Sequence, residues 1–536
     1  MAHARTGRQP ALGTRGMVAS PHHAATQAGL TMLDRGGSAV DAAIATNAAL
    51  GVVYPHMAGL GGDLFCLIWD AHARQLHALN GSGRAARAAT IESYAEKGHT
   101  RIPQRGPLSI VTVPGAVDAW RAMHQRFGKL PLSDALAPAI DLAEHGFAVS
   151  ESLAAWAARD ESELAAHPAT SAAFRPQGRP LRHGQRLQLP HLAATLRTIA
   201  IRGPDALYRG DIAERLHRYL ADIGAPLAGE DLASHRSDWV EPISIDYRGL
   251  RAYQLPPNTQ GLTALQMLGM LRTFELAALG DRSAAYVHLM AEAARVAFLD
   301  RDRYCVDPAF TDLPISDLLS DAHISAQRAT IDPSRKTDSV PGASMGGDTC
   351  YFCAVDRDGN AVSIIQSIYF DFGSAIVAGD TGVLLQNRGS FFSLDPAHPN
   401  SLGPGKRTFH TIIPAMLFRD GQPALLYGSM GGEGQPQTQA ALATRIVDFR
   451  QDVQTAIEAP RWLYGRTWGA ESSALRIEEP FGSEVAARLE SMGHRVEVTT
   501  GWSDALGHAQ AIQIDREQGV YWGGADPRGD GLAAGW

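Results

Sequence analysis

Gly346-Gly347-Asp348-Thr349-Cys350-Tyr351-Phe352-Cys353-Ala354-Val355-Asp356 is the stretch on which the fold turns. Two glycines and an acid lead into a threonine, and the threonine opens an apolar run that predicts a strand over 349–355. A chain cut before Thr349 would give one residue both a nucleophile, its hydroxyl, and a base, its new α-amine. An ordinary turn entering a strand is the other reading, and these residues alone do not exclude it. Both faces of the run are apolar: Tyr351, Cys353 and Val355 on one, Cys350, Phe352 and Ala354 on the other. A strand covered on both sides belongs in a stacked or helix-covered sheet. Asp356-Arg357-Asp358-Gly359-Asn360 then predicts a hairpin turn into a second strand over 361–367.

Upstream, residues 327–348 turn polar and rich in Gly, Pro and Ser, the composition of a linker. Gly342-Ala343-Ser344-Met345-Gly346 within it fits the G-x-S-x-G pattern of serine hydrolases. That pattern needs a strand before it and a helix after it, so Ser344 is read as linker. Further back, a helix over 22–35 stops at Gly36-Gly37. Ser38 and Asp41 form a capping-box-like start for an alanine-rich helix to about 52. Gly59-Leu60-Gly61-Gly62-Asp63 precedes a strand, the reverse of a dinucleotide fingerprint, and reads as a tight turn. Residues 151–232 are helical with polar loops, and Val287, Met290, Ala294 and Phe298 mark one face of a core helix. Downstream, Gly428-Ser429-Met430-Gly431-Gly432 follows a strand over 424–427. It is either a simple turn or an oxyanion hole, since glycines let backbone N–H groups approach a reacting carbonyl.

Composition bounds the function. Charged residues make up only 19% of the 536, which leaves enough apolar chain for a large core. A net charge of -8 without a Lys/Arg-rich run argues against nucleic acid. Four cysteines (Cys66, Cys305, Cys350, Cys353) form no disulfide framework. Cys350 and Cys353 point to opposite faces of a strand and read as core rather than as redox or zinc ligands. No H-E-x-x-H is present, and His22-His23 reads as surface. The N-terminus lacks an apolar h-region, and the apolar stretch 42–53 is too short to span a bilayer, so a cytoplasmic protein with no membrane partner is the default expectation.

Taken together, these residues resemble the γ-glutamyltransferase family of N-terminal-nucleophile hydrolases. The resemblance runs from 17 to 536. Its carriers are Gly37-Ser38-Ala39-Val40-Asp41-Ala42-Ala43, Gly59-Leu60-Gly61-Gly62-Asp63, Leu289-Met290-Ala291-Glu292-Ala293, Asp356-Arg357-Asp358-Gly359-Asn360-Ala361-Val362, Glu458-Ala459-Pro460-Arg461 and Ala525-Asp526-Pro527-Arg528. It implies an α+β, four-layer αββα sandwich, and a precursor that cuts itself into a large chain, 1–348, ending at Asp348, and a small chain, 349–536, the two forming one folded unit. It also implies Thr349 as nucleophile, Ser367 as its supporting hydroxyl, and Gly431 and Gly432 as the oxyanion hole. No cofactor or metal is required, because the α-amine and backbone donors fill the roles of base and oxyanion stabiliser. Higher oligomers are left open.

The family's glutamyl-recognition positions are altered. The arginine that grips the α-carboxylate is replaced by Ser82, with Arg84 nearby. The supporting serine pair becomes His410-Thr411. The aspartate that holds the α-amino group becomes Phe391, the adjacent asparagine Tyr369, and a Gln or Glu position Arg388. A phenylalanine would leave a substrate ammonium unpaired, whereas Arg388 can take a carboxylate in a two-pronged grip. The substitutions therefore point to a small amide that bears a carboxylate and no α-amino group. Gln386-Asn387-Arg388-Gly389 is similar to the branch that includes oxamate amidohydrolase. Two alternatives stand beside this: a γ-glutamyl substrate such as glutathione, and a non-catalytic scaffold. For Arg388 itself the competing expectation is a protein partner such as Asp371 or Asp380.

Overall fold

The computed structural model describes residues 7–337, 348–465, 472–503 and 506–536. Ser344 and most of the expected linker, 338–347, lie outside the described residues. The linker's first residues do not behave as one: Gln327 to Ala329 close the helix Asp321–Ala329, with Gln327 buried and bonded through its amide to Asp300.

Two seven-stranded antiparallel sheets form the centre. The first runs in the order Leu532–Gly535, Met17–Ser20, Asp348–Val355, Ala361–Tyr369, Asp63–Asp70, Gln75–Gly81, Asp238–Val240. The second runs Ala11–Gly13, Val520–Ala525, Ala509–Asp515, Gln422–Ser429, Ala415–Arg419, Leu250–Gln254, Ile243–Tyr247. Their facing sides share one apolar cluster in which Tyr351, Cys353 and Val355 meet Met416, Leu426 and Ile512. On the outer side of the first sheet, Cys350, Phe352 and Ala354 pack in a cluster with the helices His23–Asp34 and Ala39–Val53. The helices Gly261–Leu271, Ala284–Tyr304 and Gln435–Val447 cover the second sheet. The result is the four-layer αββα sandwich, and the two apolar faces of the 349–355 run are explained by it: one faces the partner sheet, the other a helix layer. Full burial of a side chain such as Phe352 stabilises by about 1.5–3 kcal/mol.

Local signals account for the elements next to the site. Ser38 Oγ accepts from Asp41 N–H while the Asp41 carboxylate accepts from Ser38 N–H at 2.8 Å, a complete capping box that starts the buried helix Ala39–Val53. His22 departs from expectation. It is buried, and its Nδ1 caps the first helix by accepting Ala24 N–H at 3.2 Å, while His23 remains exposed. The four cysteines are buried and free. Among the described residues, no helix is long and apolar enough to cross a membrane.

Candidate active site

Register places Thr349. The strand Asp348–Val355 pairs with Ala361–Tyr369, but Asp348 opposes Tyr369 and Cys350 opposes Gln366. Thr349 therefore stands across from two residues, Ser367 and Ile368, at a bulge that re-aims the strand end. On its other side the strand pairs with Met17–Ser20 only from Cys353 to Val355. Among the described residues the Thr349 end thus has a ladder partner on one side alone, and its side chain is fully buried.

A ring of hydrogen bonds ties the separate segments together around it. Gln435 Nε2 donates to Thr349 Oγ1 at 3.4 Å. Three residues before Gln435 is Gly432, whose carbonyl accepts from Gln260 Nε2 at 3.0 Å, and the same amide donates to Thr411 O at 2.6 Å. Thr411 Oγ1 accepts from Arg388 Nη1 at 3.4 Å, and Arg388 Nη2 donates to Ser367 Oγ at 3.1 Å. Ser367 Oγ also accepts Tyr369 N–H at 2.8 Å, and Tyr369 holds φ 81. A positive φ in a bulky residue costs of order 1–3 kcal/mol and is kept only where the surroundings impose it. The four residues expected to carry the chemistry, Thr349, Ser367, Gly431 and Gly432, are thereby gathered at one place.

Gly431 and Gly432 follow the strand Gln422–Ser429 with φ 127 and 52, conformations that a side chain would strain. The loop's own backbone bonds use other groups: Met430 N–H to His508 O at 3.0 Å and Gly434 N–H to Gly431 O at 2.8 Å. Behind the loop, buried Glu433 pairs with Arg301 at 3.4 Å.

Arg388 is the electrostatic feature of the site. It is completely buried, and among the described residues its Nε has no hydrogen-bond partner and no carboxylate pairs with it. Burial pulls its pKa down to about 10, with Tyr369 and Asp63 acting in the opposite direction, so it stays cationic at neutral pH. Its guanidinium lies 4.4 Å from the centre of the Tyr369 ring and 5.5 Å from that of Phe391. The protein partners expected for it are engaged elsewhere: Asp371 with Arg105 at 3.2 Å, and Asp380 with Arg215 at 3.1 Å. Tyr369, Phe370, Phe391 and Phe409 form a contiguous aromatic wall, with ring centroids 4.4 to 5.1 Å apart.

His410 is held by protein partners. Its Nε2 meets Asp63 Oδ2 at 2.8 Å, and Asp63 Oδ1 accepts the N–H groups of Gly83 and Gly115 at 3.0 and 3.1 Å. Burial first, then Arg388, lowers the His410 pKa against the pull of Asp63. Ser82 Oγ donates to Asn80 Oδ1 at 2.6 Å, and Asn258 Nδ2 reaches both Ser82 Oγ and His410 Nδ1, at 3.4 and 3.3 Å. Ser82 and His410 are therefore parts of one buried polar network. Arg84 points away to Asp238 at 3.0 Å and is partly exposed. Sequence reasoning missed Asp63, Asn258, Gln260 and Gln435. Asp63 ends the quoted Gly-rich turn, but nothing near Gln435 in the chain marks it.

The arrangement puts the buried Thr349 hydroxyl, a glycine turn and a buried cation that has no carboxylate partner among the described residues in one place, a setting in which amide chemistry is feasible. Comparisons with known proteins agree. The chain is 46% identical over 526 residues to the glutathione hydrolase-like YwrD proenzyme of Bacillus subtilis (strain 168), covering 98% of this chain and 99% of that protein. It is 42% identical over 531 residues to the oxamate amidohydrolase proenzyme of Klebsiella pneumoniae subsp. pneumoniae, covering 98% and 99%. The crystal structure of cephalosporin acylase from Bacillus halodurans superposes with a TM-score of 0.92 at 40% identity, over 100% of this chain and 98% of that one. With the Gamma-glutamyltranspeptidase family model matching residues 25–536, the chain belongs to the gamma-glutamyltranspeptidase family and is an N-terminal-nucleophile amide hydrolase or acyltransferase.

Proposed function

We propose that the chain cuts itself between Asp348 and Thr349, and that the freed threonine hydrolyses a small amide carrying a carboxylate and no α-amino group, of which oxamate is the model. The observation that carries the substrate class is Arg388: a fully buried cation that, among the described residues, has no carboxylate partner and hydrogen-bonds to the hydroxyls of Ser367 and Thr411. A buried charge of this kind is costly until an anion meets it. A substrate carboxylate on the guanidinium supplies that anion and sets the neighbouring amide carbon towards Thr349.

In the reaction, the α-amine of Thr349, with an ordinary pKa of about 7.7–8.0, takes the hydroxyl proton as Oγ bonds the amide carbon. The Gly431 and Gly432 N–H groups receive the developing oxyanion. The leaving amine takes the proton back, and water, or an amine acceptor, releases the acyl group from the ester. The similarity to oxamate amidohydrolase supports this substrate class. A γ-glutamyl donor is the second reading, favoured by the similarity to the glutathione hydrolase-like protein. It needs an acidic group for the donor's ammonium, and Phe391 stands where the family has one.

The test has two parts. Intact mass of the purified protein beside Thr349→Ala should show two fragments meeting at Asp348/Thr349 in the first and one chain in the second. The processed enzyme should release ammonia from oxamate and leave a γ-glutamyl anilide nearly untouched. Strong turnover of the anilide would sink the small-amide reading, and an uncut, inactive chain would favour a scaffold.

A further inference from the structure

We propose that Gln435 is a positioning residue that fixes the direction of the Thr349 hydroxyl, so that its proton faces the base rather than the protein. The inference rests on the reading of Thr349 as nucleophile and adds a residue to it. A glutamine amide has one accepting end and one donating end. Here Oε1 of Gln435 accepts Ile413 N–H at 3.1 Å, which leaves Nε2 to face Thr349 Oγ1 at 3.4 Å. Turning the amide over would set its NH₂ against the Ile413 N–H, two buried donors facing each other without an acceptor.

The orientation is reinforced from one helical turn away. Gln439 Nε2 donates to Ile413 O at 2.7 Å, and Gln254 Nε2 donates to Gln439 Oε1 at 2.7 Å. Gln435 and Gln439 sit on the helix Gln435–Val447 and grip the two polar groups of one residue, Ile413. All three glutamines and Ile413 are buried. Each bond in the series Gln254, Gln439, Ile413, Gln435, Thr349 donates in the same sense, towards the nucleophile. The bonds to Ile413 O and Ile413 N–H use two different peptide groups, so the clamp fixes the Gln435 amide by geometry rather than by relaying charge. Thr349 Oγ is thereby made an acceptor, and its own hydrogen is turned away from Gln435, towards the α-amine in processed protein and, in the uncut chain, where the Thr349 nitrogen is still an amide, towards water or another acceptor. As the proton leaves and Oγ gains negative charge, the bond from Gln435 becomes charge-assisted and shortens.

Three variants test this: Gln435→Met, which removes the donor at similar volume; Gln435→Glu, which keeps length and an acceptor for Ile413 N–H but would accept the Thr349 proton; and Gln439→Met, which loosens the same clamp without touching Thr349. Precursor cleavage is timed by intact mass, which needs no substrate, and kcat, KM and the pH profile are measured on processed protein. The expected result is a fall of about 10–100-fold in cleavage rate and kcat for Gln435→Met with KM within about twofold, smaller than the roughly 10²–10⁴-fold of a group that itself transfers the proton. Gln435→Glu should fall further and move the ascending limb of its pH profile upward. Gln439→Met should lose thermal stability and keep kcat within a few-fold. Wild-type cleavage and turnover in Gln435→Met would overturn the proposal. So would an equal kcat loss in Gln439→Met, which would assign the effect to packing. If Gln435→Met does not fold, a Gln435→Glu protein with unchanged kcat and pH profile overturns it. A processed wild type that ignores oxamate leaves this inference standing and removes only the substrate reading. A wild type that never cleaves removes both.

Discussion

Arg388→Met separates a substrate-binding cation from a structural one. Among the described residues its guanidinium makes two hydrogen bonds to hydroxyls, at 3.1 and 3.4 Å, and leaves Nε without a partner. A substrate carboxylate would add charge-assisted bonds worth about 1.5–3 kcal/mol each. Losing one or two of them predicts a fall of roughly 10- to 10⁴-fold in kcat/KM for oxamate, at about 1.4 kcal/mol per tenfold. The free protein should respond in the opposite sense. Asp63 attracts Arg388 without a hydrogen bond to it, and replacing buried ionic groups by apolar side chains of similar volume is often neutral or stabilising by about 1–4 kcal/mol. For a chain of 536 residues that is roughly 1 °C of melting temperature per kcal/mol. The assay is steady-state ammonia release from oxamate and from oxamide, its uncharged analogue, with a thermal melt of each protein. Wild type should prefer oxamate, and the variant should lose the preference while melting no earlier. A variant that keeps the oxamate preference, or that melts several degrees lower, would refute the assignment of Arg388 to the substrate.

Phe391→Asp places a carboxylate near the Arg388 guanidinium, whose centre lies 5.5 Å from the ring it replaces; oxamate KM should rise about tenfold or more as the new anion competes for the cation, seen in the same assay. The Asp526 carboxyl, which burial alone would raise, is held down to about 2 by Arg461 and Arg528. Its folded pKa lies below its unfolded value of about 3.9, so its contribution of about 2–3 kcal/mol is present above that pH and is lost as pH falls through about 2. Asp526→Asn should flatten this part of an acid-unfolding curve and, by stranding buried arginines, lower the melting temperature at pH 7 by roughly 3–5 °C. Finally, kcat/KM of processed enzyme should rise with pH through about 7.7–8.0 as the Thr349 α-amine loses its proton; a profile flat across pH 6–9 would deny that amine the role of base.

The fold was legible where local chemistry repeats a rule. The hairpin Asp348–Val355/Ala361–Tyr369 showed in its doubly apolar strand, and the helix Ala39–Val53 in its Ser38/Asp41 box. Thr349, Ser367 and the glycine pair could be picked out by family resemblance, and the structure brings them together. What stayed hidden depends on distant pairings. The isolation of Arg388 follows from Arg105 taking Asp371 and Arg215 taking Asp380, choices made across 266 and 165 residues. Gln435 reaches Thr349 across 86 residues, and a lone glutamine carries no signature of its own. His22 was misread because a histidine at a helix start looks solvated until the chain packs over it.

The two sheets draw strands from both sides of the Asp348/Thr349 bond. Met17–Ser20 and Asp63–Asp70 from the first part flank the hairpin from the second, and Leu250–Gln254 pairs with Ala415–Arg419. Even the last residue is tied across: Trp536 O accepts the N–H groups of Thr14 and Arg15, each at 2.8 Å. If that bond is cut as proposed, folding becomes a one-way event. The intact precursor can find its native pairing as a single chain, but two severed pieces would have to meet at finite concentration, each with open sheet edges prone to the wrong neighbour. Mature protein would then persist by slow unfolding rather than by the ability to refold, and an unfolded molecule would be lost for good.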